Sequence, residues 1–179
     1  MVRIHHSVKP HRGGGRGFDS PLRLMFGFRR KSAQEGSTTI KPMKVEDTNC
    51  IIVEKFGRIL LVKRKNKTFH GWWCLPGGHA EAGENMHAAA QREANEEIGS
   101  VKVSGEPFTV FEHDWPADSH TPEPHMHRCH AFRAEITGSL RPGDDAAELG
   151  WYNMNEAMNL QLTEYTHRIL TEMQKTGGK

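Results

Sequence analysis

Glu93, Glu96 and Glu97 crowd three carboxylates into one short segment, with Arg92 as the adjoining cation and Gly77-Gly78 a little upstream. In a helix, like charges at i,i+3 and i,i+4 are destabilising by roughly 0.2–0.5 kcal/mol per pair, and Glu93 meets both Glu96 and Glu97 in this way. Two of the acids also fall in the last turn, where the helix dipole disfavours negative charge. Such crowding is either a solvated surface or a half-built cation site. Carboxylates completed by water and phosphate oxygens suit Mg²⁺, with Mn²⁺ as a substitute. Gly77-Gly78 lets backbone approach an ion closely and offers a carbonyl as a further ligand. Glu84 stands where a helix start stabilises a carboxylate, and Arg92 presents a planar fork that can hold neighbouring acids in place.

The elements that must position these groups are readable around them. A helix is expected from about Asn85 to Ile98, with Gly99 at its C-cap. On a helical wheel Met86, Ala90, Ala94 and Ile98 form one apolar stripe, and the acids overlap its edge. Residues 49–55 and 58–65 read as β-strands joined at Phe56-Gly57, and Trp72–Leu75 as a short strand stopped by Pro76-Gly77-Gly78. Further strands are expected at 107–112, 127–136 and 149–153, with a Pro- and His-rich loop over 113–125. A final helix, about 162–175, carries Leu162, Tyr165, Ile169, Leu170 and Met173 on one side. The order predicts an α/β (α+β) fold, a mixed sheet sandwiched between helices.

The 179-residue chain suits one domain with a real core. No apolar run approaches the roughly 18 residues of a membrane span. The net charge of +2 hides two balances: residues 1–36 hold eight basic and two acidic residues, the rest 16 basic and 20 acidic. The basic character therefore belongs to the leader, and no nucleic-acid partner is inferred from it. Cys50, Cys74 and Cys129 are too scattered for a disulfide framework, which favours a reducing, cytoplasmic setting. Residues 1–42 read as a basic, disordered leader preceding a domain over 43–179. The leader has no apolar h-region and no clean amphipathic helix for a transit peptide. Gly17-Phe18-Asp19-Ser20 can be encoded through GGTTCGACTC, a stretch like the T-arm of a transfer-RNA gene. The leader is accordingly expected to be translated from such a gene, with the true start at Met25 or Met43; a functional basic tail is the alternative.

With Gly78, five residues, Glu84, seven residues, then Arg92-Glu93-Ala94-Asn95-Glu96-Glu97-Ile98-Gly99, the segment resembles the Nudix box. It departs at two aliphatic positions, with small Ala94 and polar Ser100. Trp73-Cys74-Leu75-Pro76-Gly77-Gly78 is similar to the strand that leads into the box. Gly143-Asp144-Asp145-Ala146-Ala147-Glu148 with Trp151 resembles a downstream element of ADP-ribose-type members. The resemblance spans about residues 46–175. It implies a hydrolase acting on a nucleoside diphosphate linked to another moiety, with Glu93, Glu96, Glu97 and the Gly77 carbonyl on Mg²⁺. It implies Arg92, Glu84, Gly78 and Gly99 as supports, and Glu93, Glu97 or Asp145 as proton acceptor. Pro116 and the Gly-Asp-Asp-Ala element favour ADP-ribose or a related nucleotide sugar. A Trp before Leu-Pro-Gly-Gly points instead to (deoxy)nucleoside triphosphates, and loss of turnover would leave a nucleotide-binding or regulatory domain. Dimers are common in the family, so a homodimer is one expectation.

Trp73, Trp115, His125 and His127 are candidates for substrate contact. His125, His127 and Cys129 alternate and share a strand face, so with His113 or His120 they could bind zinc. Phe132, Ala134 and Ile136 continue the opposite face as core, which would open the His face to the cleft or to solvent.

Overall fold

The computed structural model describes residues 43–143 and 146–177. The expectations for residues 1–42 and for Asp145 lie outside them. β1 (Val45–Lys55) and β2 (Arg58–Arg64) form an antiparallel hairpin whose turn places Phe56 and Gly57 at φ 51° and 70°. Positive φ at both central residues matches the twist of the flanking strands. β3 (Trp73–Cys74) pairs with β2, and β7 (Ala146–Asn153) lies antiparallel to β2 as well. β1 runs parallel to β6 (His125–Leu140) from Val45↔Met126 to Val53↔Ala134. On the other edge of β6, successive stretches pair antiparallel with β5 (Thr109–Trp115) and β4 (Gly99–Val103).

Helix α1 (Met86–Glu97) follows the expected bounds closely. Asn85 caps it, accepting from the N–H groups of His87 and Ala88, and Gly99 follows at φ 95°. Its Ala89, Ala90 and Ala94 are fully buried, and these small side chains let it lie close on the sheet. The expected final helix is α3 (Glu164–Thr176), and Leu162, Tyr165, Ile169, Leu170 and Met173 are all buried as the pattern required. It is tied to β3 where Leu75 N–H donates to Thr166 Oγ1 at 3.0 Å and Thr163 N–H to the Trp73 carbonyl. The result is the expected mixed sheet with helices packed on it.

Three features differ from the expectations. β4 and the short helix α2 (Met154–Met158) are additional elements, and β5 runs on to Trp115, so the loop is confined to 116–124. Of the two outlets expected for the His face of β6, the cleft is the one used and solvent is not: His127 and Cys129 line the cleft, and His125, His127 and Cys129 are buried, as are Phe132 and Ala134 on the opposite parity. This middle strand is covered on both faces. Among the described residues no helix is long and apolar enough to cross a membrane.

Candidate active site

The segment after β3 sets the geometry. Residues 76–80 run antiparallel along the first half of β1, with Ile51 N–H donating to the Pro76 carbonyl, Asn49 N–H to the Gly78 carbonyl and Ala80 N–H to the Asp47 carbonyl. Strand alternation turns the polar groups of Gly77 the other way. Its N–H donates to Glu97 Oε2 at 2.8 Å. Gly77 sits at φ 146°, and a Cβ there would lie 2.1 Å from the Asn49 carbonyl oxygen. At Gly78 a Cβ would lie 2.5 Å from the Glu93 carboxylate. Both glycines are therefore required by close approach, one to β1 and one to an acid of α1.

Arg92 organises the acids. Its Nε and Nη2 grip Glu84 at 3.2 and 3.0 Å, Nη1 meets Glu93 at 2.8 Å and Glu96 at 3.3 Å, and Nη2 also donates to the His79 carbonyl at 3.0 Å. Burial pushes the Glu93 carboxyl above its ordinary pKa, against the pull of Arg92. The Arg92 hydrogen bond works the other way on Glu84 and lowers it.

Glu93 and Glu97 line a cleft of about 1220 Å³ together with Gly77, Gly78, Arg92 and Asn49. Glu96 reaches outward, 59% exposed, on the Arg92 side. Gly143 N–H donates to the Glu97 carbonyl at 2.8 Å, so the segment just before Asp145 is fastened to the end of α1. Of the other sequence candidates, Trp115 and His127 line the cleft and stack with ring centroids 4.6 Å apart. Trp73 is buried in the core, edge-on to Tyr152, and does not line the cleft. His125 is buried behind His127.

The donor set fits a hard divalent cation: two carboxylates share the cleft, and Gly78, which lies against Glu93, has no Cβ to obstruct it. The proposed zinc set is corrected. Cys129 pairs with Cys50, sulfur to sulfur 3.0 Å, and this contact together with burial raises the Cys50 thiol well above its usual pKa. His113 and His120 belong to neither group of converging ligand atoms found among the described residues. The partners of His127 are instead His79, His125 and Glu46.

Asn49 was not singled out in the sequence. It is 2% exposed, lines the cleft, and neither of its amide atoms has a hydrogen-bond partner among the described residues. A polar side chain entering the apolar run Cys50–Val53 was the available signal.

Comparison with known proteins agrees with this geometry. The NUDIX domain family matches residues 43–173. Over 109 residues the chain is 35% identical to an ADP-ribose pyrophosphatase of Methanocaldococcus jannaschii, covering 61% of this chain and 62% of that protein, less than two thirds of its length. The crystal structure of a MutT NUDIX hydrolase from Burkholderia pseudomallei is 29% identical with a TM-score of 0.58, covering 72% of this chain and 97% of that one. A MutT protein from Methanosarcina mazei Go1, at 17% identity, shares the fold with a TM-score of 0.66 over 78% of this chain and 99% of that one. The box spacing falls on the helix that lines the cleft, and the family match covers the described domain. The chain belongs to the Nudix family.

Proposed function

We propose that the domain is a Mg²⁺-dependent pyrophosphohydrolase that cleaves the diphosphate of a nucleoside diphosphate linked to another moiety, ADP-ribose or a related nucleotide sugar. The observation that carries this reading is the pair Glu93 and Glu97 on one cleft wall beside Gly77-Gly78. The relative named as an ADP-ribose pyrophosphatase supports the substrate class. Glu93, Glu97 and the Gly77 carbonyl would hold the ion, with Glu96 from the rim. When bound, the ion neutralises diphosphate charge and lowers the pKa of an attacking water. Arg92 keeps Glu93 and Glu84 in register with the loop. Glu93, Glu97 or Asp145 accepts the water's proton. Asn49 reads a polar group of the substrate, and the aromatic wall of Trp115 takes an apolar face.

Likeness to a Haemophilus influenzae protein named as an 8-oxo-dGTP diphosphatase, 37% identical over 67 residues, favours a second reading, cleavage of (deoxy)nucleoside triphosphates. A panel of ADP-ribose, NADH, diadenosine polyphosphates and (d)NTPs with Mg²⁺, scored by phosphate products, separates the two. ADP-ribose is expected to give the highest kcat/KM; cleavage of none would leave a nucleotide-binding domain.

Two substitutions test the parts. Gly78→Ala is expected to lower kcat by roughly 10–100-fold, the range for loss of a group that orients a metal ligand, because the added Cβ displaces the Glu93 carboxylate. Circular dichroism melts should stay near those of the parent. Asn49→Ala removes a buried amide without a partner, and such a group is unfavourable by about 1–3 kcal/mol. Thermal stability is therefore expected to hold or rise while KM increases. A fall in stability with unchanged KM would assign Asn49 to the scaffold.

A further inference from the structure

A second cluster of ligand atoms lies beside the box and takes no part in the proposed hydrolysis. Nε2 of His127 is 3.0 Å from Nε2 of His125 and 3.3 Å from Nε2 of His79. Glu46 Oε2 lies 3.2 Å from His79 Nε2, 3.4 Å from His125 Nε2 and 3.8 Å from His127 Nε2. Glu46, His125 and His127 thus offer three ligand atoms of zinc-binding type that all lie within 4.8 Å of one another, and His79 Nε2 stands beside two of them. In a tetrahedral site with ligand bonds of roughly 2.0–2.1 Å, neighbouring ligand atoms stand about 3.3–3.4 Å apart, and the five distances bracket that edge.

The surroundings prepare each ligand. His125 Nδ1 lies 2.9 Å from the Glu123 carbonyl, which can only accept, so Nδ1 carries a proton and Nε2 is the ring atom left to face the cluster. Glu46 Oε1 accepts from Thr121 Oγ1 and pairs with Lys44, while buried Oε2 has no hydrogen-bond partner among the described residues. Asp118, which also lies near His79 and His127, is committed elsewhere. Its Oδ2 accepts from Trp115 Nε1, and its Oδ1 accepts from the N–H groups of His120 and Thr121.

Protons alone fit this arrangement poorly. One proton on His127 Nε2 can serve His125 or His79 but not both, and Glu46 Oε2 accepts no hydrogen bond from the described residues although three imidazole Nε2 atoms lie 3.2–3.8 Å from it. Charging all three rings would pack like charges at hydrogen-bond distance. We infer that His79, His125, His127 and Glu46 form a zinc site closed by four protein ligands, distinct from the Mg²⁺ carboxylates of α1. Three imidazoles and one carboxylate suit zinc over Mg²⁺, and a complete protein shell marks a structural role. The ligand charge states agree. Burial, reinforced by the neighbouring histidines, holds His127 down to about 3, so it is neutral. Burial opposes ionisation of Glu46, but the Lys44 and Thr121 contacts outweigh it and hold the carboxyl at about 2. The ion would join β1, β6 and the segment after Gly77-Gly78, fixing His79 and with it the carbonyl that Arg92 grips.

The test is metal content of the tag-free full chain by inductively coupled plasma mass spectrometry after dialysis against a weak chelator. About one zinc per chain is expected, retained in Glu93→Gln, which touches the other metal site. His127→Ala controls for the histidines of residues 1–42 and is expected to lose the zinc. His79→Ala, on a half-buried loop residue with little folding risk, is expected to weaken zinc binding by at least the 10–100-fold seen when an orienting group is lost. Co²⁺ exchanged into the parent should give the intense visible bands of a tetrahedral ion. Absence of zinc together with failure to take up buffered Zn²⁺, or undiminished zinc in both histidine variants, would overturn the assignment.

Discussion

Glu97→Gln is expected to lower kcat by about two to four orders of magnitude, the range associated with loss of a positioned proton acceptor, with unfolding unchanged. Glu97 ends α1, and its Oε2 accepts the Gly77 N–H at 2.8 Å. Glutamine keeps a carbonyl oxygen that can accept the same hydrogen bond, so the loop stays seated against the helix. What disappears is negative charge in the cleft. That charge is needed to hold a divalent cation, and an amide nitrogen cannot take a proton from water. A purely structural Glu97 would therefore be rescued by glutamine, whereas a metal-holding or proton-accepting one would not. Steady-state kinetics across a Mg²⁺ titration, with a thermal melt on the same samples, separates these outcomes. Turnover within a few-fold of the parent at saturating Mg²⁺ would remove Glu97 from the reaction.

Much of this framework was legible in the sequence because its signals are local. Asn85 and Gly99 bound α1, and Phe56-Gly57 between β-branched runs marks the hairpin. The catalytic candidates were legible for the same reason, since box spacing is a property of one strand, one turn and one helix. β4 escaped because Gly99 both ends α1 and opens the strand, leaving no loop to announce it. The His face of β6 opens on the cleft through His127 and Cys129, as one of its two expected outlets, while His125 is enclosed. Glu46 and His79 could not be paired from sequence at all. They meet because residues 76–80 lie along β1 with Thr48 opposite His79, and register between distant segments is not written in either one. Around His125 and His127, β1 places Glu46 and the segment after Gly77-Gly78 places His79, in positions that Cys129 does not share.

Arg92→Ala is expected to destabilise the domain by about 1.5–3 kcal/mol at neutral pH, the range for losing hydrogen bonds to charged groups, and to abolish most turnover. Arg92 is the shared partner of Glu84, Glu93 and Glu96 and the donor to the His79 carbonyl. Alanine leaves the half-buried Glu93 facing like charges with its counter-charge gone. Lysine should not restore it, because one ammonium cannot span the positions the guanidinium fork serves at once. The pH dependence gives the sign. Burial already raises the Glu93 pKa, and removing Arg92 raises it further, so the folded variant binds that proton more readily than the unfolded chain does. Its stability is then retained at low pH and lost as pH rises through the raised value. Glu84, lowered by Arg92 in the parent, contributes stability above the ordinary carboxylate range that is lost as pH falls. Both effects make the gap between parent and variant smallest in acid and widest at neutral pH. Denaturant melts on both sides of the carboxylate range measure that gap. A gap independent of pH would mean that Arg92 acts through packing, not through the charges it holds together.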